Sequence, residues 1–101
     1  MHVQIVNFKL KDMTDEQYGK AAAELAQAYA SVPGLVSKVW IANPSTNTYG
    51  GIYYWKDKEA METYFGTDLF KSVATHPNLA EITSTDFAVM EEATRITRGA
   101  I

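Results

Sequence analysis

Apolar residues recur along the chain with two periods. Residues 2–10, HVQIVNFKL, are rich in Val, Ile and Phe and read as a strand. MTDEQ then starts a helix: Thr14 is the N-cap, and Gln17 three residues on completes a capping box. Tyr18, Ala21, Ala22, Leu25, Tyr29 and Val32 follow at helical spacing in a slim, alanine-rich helix, which Pro33-Gly34 ends. Residues 35–42, LVSKVWIA, form a second strand, and NPSTNT is a hairpin loop of turn-forming residues. The third strand runs from about Tyr49 to Lys56. Asp57 caps a second helix carrying Ala60, Met61, Tyr64 and Phe65, which Gly66 interrupts. Thr67 caps a short third helix with Leu69, Phe70, Val73 and Ala74, and HPN stops it. Residues 80–91, AEITSTDFAVME, form the last strand, and the final ten residues read as a polar tail with a loose helical tendency. The order β-α-β-β-α-β is the split βαβ, or ferredoxin-like, arrangement: an α+β fold with an antiparallel sheet, in one domain over 1–101.

Side chains alternate between the faces of a strand. Val3 and Ile5 lie opposite Val6, Phe8 and Leu10; Val39 and Ile41 oppose Trp40 and Ala42; Tyr53 and Trp55 oppose Ile52 and Tyr54. In the last strand Ile82, Ala88 and Met90 oppose Phe87 and Val89. Both faces of the sheet are therefore apolar, whereas an antiparallel sheet with one wet face alternates apolar with polar. Helical crossovers cover one face. A second copy of the same sheet is the economical cover for the other, which predicts a two-fold homodimer.

Composition narrows the function. With 47% hydrophobic and 21% charged residues the chain is globular rather than disordered. A net charge of −3 without a Lys/Arg cluster leaves no footprint for nucleic acid. There is no cysteine, which excludes disulfides and thiolate chemistry. No apolar run approaches the roughly 18 residues of a membrane span, and no signal peptide is read, so a cytoplasmic location is expected.

PGLVSKVW, YGGIYYWKDKEAMETYF and DFAVMEE resemble the YdhR-like monooxygenase family of the dimeric α/β-barrel superfamily. The sharpest elements are Lys38-Val39-Trp40, Gly50-Gly51-Ile52-Tyr53, Asp57, and Ala60 with Tyr64. The resemblance implies a ferredoxin-like subunit whose sheet faces that of a second subunit to make a barrel. It also implies an oxygenase that works on aromatic polyketide-like compounds without cofactor. In such relatives a pocket between sheet and helices uses an Asn and a Trp on the third strand. The Trp corresponds to Trp55, and the Asn position falls on Gly51. A non-catalytic small-molecule-binding barrel, or an isomerase or cyclase on the same scaffold, is the alternative.

Cofactor-free oxygenation needs an apolar pocket, a proton acceptor and donors for developing charge. Trp55, Tyr53 and Gly51 share a strand face, and the glycine leaves room there; it is otherwise a bulge or twist position among core aromatics. Lys38 and Trp40 share a face too. The lysine is either an edge charge with its stem packed on the ring or a cation in a pocket. His76 has a pKa suited to proton transfer near neutrality, or else it complements the C-terminal end of its helix. Asn7 is a short polar residue in an apolar strand, bonded to backbone or ligand, and Asp86 is an edge-strand charge. Tyr64 and Phe65 face the sheet as core and as pocket wall. The candidate catalytic residues are thus His76, Tyr53 and Asn7, and the candidate substrate-binding residues are Trp40, Gly51, Trp55, Tyr64 and Phe65. With His2 and His76 as the only imidazoles, no metal-ligand spacing exists. Gly50-Gly51 lacks the context of a nucleotide loop. No cofactor is expected, and the expected partners are a hydrophobic or aromatic small molecule and a second copy of the chain.

Overall fold

The computed structural model describes residues 1–99. Its elements are β1 (His2–Leu10), α1 (Asp15–Ala30), β2 (Leu35–Asn43), β3 (Thr48–Trp55), α2 (Lys58–Tyr64), α3 (Asp68–Ala74), β4 (Leu79–Ala88) and α4 (Glu91–Ile96). A single 3₁₀ turn, Pro44–Thr46, sits between β2 and β3. The strands form one sheet in the order β2-β3-β1-β4, with every neighbouring pair antiparallel. This is the ferredoxin-like arrangement predicted from the order of elements. None of the described helices is long and apolar enough to cross a membrane.

Local chemistry sets the helix starts. Thr14 Oγ1 accepts from the Gln17 amide at 3.1 Å, and Gln17 Oε1 accepts from the Thr14 amide at 2.8 Å, completing the capping box. Asp57 accepts from the Ala60 amide at 2.8 Å to start α2, and Thr67 accepts from the Phe70 amide at 3.2 Å to start α3. In the β2–β3 hairpin, Asn47 adopts a left-handed conformation. Its side chain pairs with the Leu10 backbone through both Oδ1 and Nδ2, extending the ladder of β1 where the neighbouring strand has ended.

Two boundaries differ from the sequence-based expectation. β4 ends at Ala88 rather than at residue 91, because the β1 ladder ends at the pair His2–Ala88 and the chain then turns into α4. The tail expected after residue 91 holds that short helix; positions 100 and 101 lie outside the described residues.

The sheet divides by parity. On the helix-covered face, His2, Gln4, Val6, Phe8 and Leu10 of β1 are buried, with Tyr49, Gly51, Tyr53 and Trp55 of β3. Tyr29 of α1 and Ala60, Met61 and Tyr64 of α2 close the core over them. On the other face the register aligns Val39 with Ile52, Ile52 with Ile5, Tyr54 with Val3 and Val3 with Phe87. None of the described helices covers that apolar band. Val39 is 49% exposed and Phe87 53%.

Candidate active site

The helix-covered face is rich in aromatic rings, and its few polar groups are paired. Trp55 is fully buried and its indole Nε1 donates to Gln4 Oε1 at 3.0 Å, while Gln4 Nε2 donates to Ser84 Oγ at 3.0 Å. His2 Nε2 lies 2.6 Å from Asp86 Oδ2. The Tyr29 and Tyr64 hydroxyls are 2.6 Å apart. Tyr53 stacks on Trp55 with centroids 6.0 Å apart and planes 7° from parallel. Every buried side-chain nitrogen and oxygen among the described residues has a partner.

Two clefts open between sheet and helices. The larger, about 200 Å³, is bounded by Gln4 and Val6 of β1, Tyr53, Tyr64, Phe70 of α3, and Ser84 of β4. The smaller, about 30 Å³, is bounded by Tyr29, Lys38, Trp40, Gly51 and Tyr53. Tyr53 and Val73 belong to both, so one wall separates them.

Lys38 is the distinctive group of the smaller cleft. Its Nζ sits 3.3 Å from the Tyr29 ring centroid, 3.6 Å from Trp40 and 4.4 Å from Tyr53. The two ion pairs among the described residues, Met1–Glu91 and His2–Asp86, lie elsewhere, so no described carboxylate neutralises this amine. Burial pushes the amine down to about 7, and the ring faces, which favour the ammonium, oppose part of that fall. The tyrosines shift the other way. Burial, then the neighbouring Tyr29 and Tyr49, pushes Tyr18 up to about 12. Burial raises Tyr53 and Tyr64 well above the ordinary phenol range, with the neighbouring Tyr29 adding to it in both. These phenols stay protonated, as hydrogen-bond donors, at any physiological pH.

The structure brings Trp40, Gly51 and Tyr53 together at the smaller cleft, and Tyr53 and Tyr64 at the larger. Trp55 lies behind Tyr53, and Phe65 behind Tyr64 and Phe70, with ring centroids at 6.1 and 5.0 Å. Asn7 is not brought to either cleft: its parity places it on the uncovered face, where its carbonyl accepts from Thr83 Oγ1 at 3.4 Å. His76 follows the end of α3, and its Nδ1 accepts from the Asn78 amide at 3.1 Å. Sequence reasoning left Gln4 and Tyr29 out of the site and held Lys38 between edge and pocket. The register decides for Lys38: it pairs with Tyr53, and Trp40 pairs with Gly51.

The family model described as "Putative mono-oxygenase ydhR" matches residues 3–100. The chain belongs to the ydhR family. None of the curated proteins compared matches it. Among solved structures, a "putative antibiotic biosynthesis monooxygenase" from Deinococcus radiodurans is 15% identical, with a TM-score of 0.74 over 90% of this chain and 94% of that one. SnoaB, a cofactor-independent oxygenase from Streptomyces nogalater, is 20% identical, with a TM-score of 0.69 over 89% and 94%. The heme-degrader MhuD from Mycobacterium tuberculosis, solved with two hemes in its active site, is 18% identical, with a TM-score of 0.69 over 89% and 96%. At these identities the likeness is one of fold. Within this ydhR chain, the space left by the missing side chain of Gly51 is taken by Lys38. A Cβ on Gly51 would meet Lys38 Cε at 2.9 Å and Tyr53 Cε1 at 3.3 Å.

Proposed function

We propose that this chain is a cofactor-independent monooxygenase that oxidises a small aromatic or polyketide-like compound with dioxygen. The observation that carries the reading is an amine without a counter-ion, Lys38, beside an apolar aromatic cleft. A pocket that only binds needs no proton acceptor, whereas oxygenation of a phenol begins by removing its proton. In this reading the substrate lies flat in the larger cleft against Tyr53, Tyr64 and Phe70. Lys38, on the far side of the wall that Tyr53 forms, takes up the substrate's proton by way of the Tyr53 hydroxyl, which passes one proton on as it receives another. The Tyr53 and Tyr64 hydroxyls, which burial keeps protonated, are donors for the charge that develops on the substrate oxygen. Work without heme is supported by the imidazoles, since neither lines either of the two described clefts: His2 is paired with Asp86 and His76 follows α3.

The working unit in this proposal is a homodimer in which the uncovered sheet faces pack together. The support is the apolar band of Val3, Ile5, Val39, Ile52, Tyr54 and Phe87. The test of activity is oxygen consumption over a panel of phenols and quinols, with and without protein. At least one compound is expected to consume oxygen in a protein-dependent manner, and Lys38→Met to slow that reaction about 10²-fold or more. Protein-dependent uptake with none of the panel, together with retained binding of the same compounds, would replace the oxygenase by a binding barrel.

A further inference from the structure

We propose that the small chamber against Lys38 is a dioxygen subsite, in which the lysine ammonium holds the superoxide or peroxide anion that dioxygen becomes. The proposal rests on the oxygenase reading and adds where the second substrate sits. Size is the first reason. A chamber of about 30 Å³ takes one or two water-sized molecules and excludes an aromatic ring, so it is not where the organic substrate binds. Its walls are the second reason: Phe8, Leu25 and the rings of Tyr29, Trp40 and Tyr53 suit an apolar diatomic gas. Charge is the third. One cation faces this chamber and no described carboxylate pairs with it, so an arriving anion has no competitor. The other titratable groups around the amine are phenols, Tyr29 from α1 and Tyr53 from β3, with Tyr18 of α1 also on the chamber wall. Position is the fourth reason, since Tyr53 and Val73 alone separate the chamber from the larger cleft.

The chemistry closes on this arrangement. A phenol, whose keto form carries a ring CH₂, loses a proton by way of Tyr53 to the Lys38 amine, leaving an anion with carbanion character at that carbon and an ammonium. The carbanion passes one electron to dioxygen, giving a substrate radical and superoxide beside that ammonium. The two radicals combine to form a C–O bond and a peroxide anion. The ammonium returns its proton to the terminal oxygen. Loss of the remaining C–H proton with cleavage of the O–O bond then gives a carbonyl and water. The sum is CH₂ + O₂ → C=O + H₂O; the substrate supplies every electron, and the lysine ends as it began.

Azide, a small linear anion, is the probe. Titrated into ¹⁵N-labelled protein at pH 6.5, it is expected to shift the Trp40 indole and the Gly51 amide with a single saturating isotherm. Lys38→Met is expected to weaken that binding at least tenfold and Lys38→Arg to retain part of it. Gly51→Ala, which crowds Lys38 Cε, supplies a second variant with the amine still present, and is expected to weaken azide several-fold. Shifts that are absent, or spread over the exposed lysines without saturation, overturn the proposal on the parent protein alone. Oxygen uptake by the phenol panel without azide binding sinks the subsite and leaves the oxygenase standing. Azide binding at Lys38 with no uptake overturns the oxygenase, and with it dioxygen as the occupant.

Discussion

At the scale of single residues, Lys38 ties the site to stability. Its amine titrates near 7 in the folded chain against an ordinary 10.5, so between those values the unfolded chain binds more protons. Folding stability from this group therefore rises with pH from about 7 to 10.5 and is lowest below 7, where the buried amine is charged. Chemical denaturation of Lys38→Met beside the parent is expected to show the gap in unfolding free energy changing by at most about 1.4 kcal/mol per pH unit between pH 7 and 9.5, in the parent's favour as pH rises. A gap that stays constant across that range would mean the amine is unperturbed. The adjacent glycines give a second comparison. A Cβ at Gly50 would lie 1.8 Å from the Val6 carbonyl oxygen, which is backbone and cannot step aside, whereas at Gly51 it meets the flexible end of a lysine. Gly50→Ala is expected to melt far below Gly51→Ala, and Gly51→Leu to cost roughly 1–3 kcal/mol by overpacking, as read by thermal melts. Part of this was legible. Parity placed Gly51, Tyr53 and Trp55 on one face, but the aromatic cage needs Tyr29 from α1, and no local pattern encodes which helix ring lands on which lysine.

At the scale of elements, the helix starts were legible because capping is local chemistry. Thr14, Asp57 and Thr67 each lie within three residues of the amide they cap, so the sequence carries the interaction whole. Thr14→Ala is expected to cost about 1 kcal/mol, a fall of several degrees in melting temperature for a domain this size, with little change in oxygen uptake. A large loss of activity without loss of stability would mean α1 does more than carry Tyr29 to the cleft. The end of β4 was less legible, because Val89 and Met90 continue the apolar alternation after the partner strand has run out. That Asn7 and His76 stand apart from the two described clefts was not legible for a related reason. Polarity in a strand and an imidazole at a helix end are visible in sequence, but where the clefts open depends on strand pairings such as Lys38 with Tyr53 and Gln4 with Tyr53.

At the scale of the whole molecule, the two-sided apolar pattern was legible, and the proposed homodimer rests on it. The band from Val39 through Ile52 and Ile5, with Phe87 beside Val3, is continuous across the sheet, with Val39 and Phe87 exposed and the residues between them half-buried on the single chain. Light scattering at micromolar concentration is expected to give twice the 11.2 kDa mass of one chain. Ile52→Asp, which puts a charge at the centre of the band and away from the helix-side cleft, is expected to yield monomer. A parent that runs as a monomer would leave the exposed band to another partner.

The chain has two tryptophans, and the fold puts them in opposite circumstances. Trp55 is sealed in the core with its N–H committed to Gln4, while the Trp40 ring lies 3.6 Å from the Lys38 nitrogen. The molecule thus carries its own optical gauge. Trp55 supplies a steady emission background, and Trp40 emits next to a charge that comes and goes with the amine's proton. Intrinsic fluorescence followed against pH reads the protonation of that one lysine without a label, and Trp40→Phe removes the pH-dependent component while leaving the background in place.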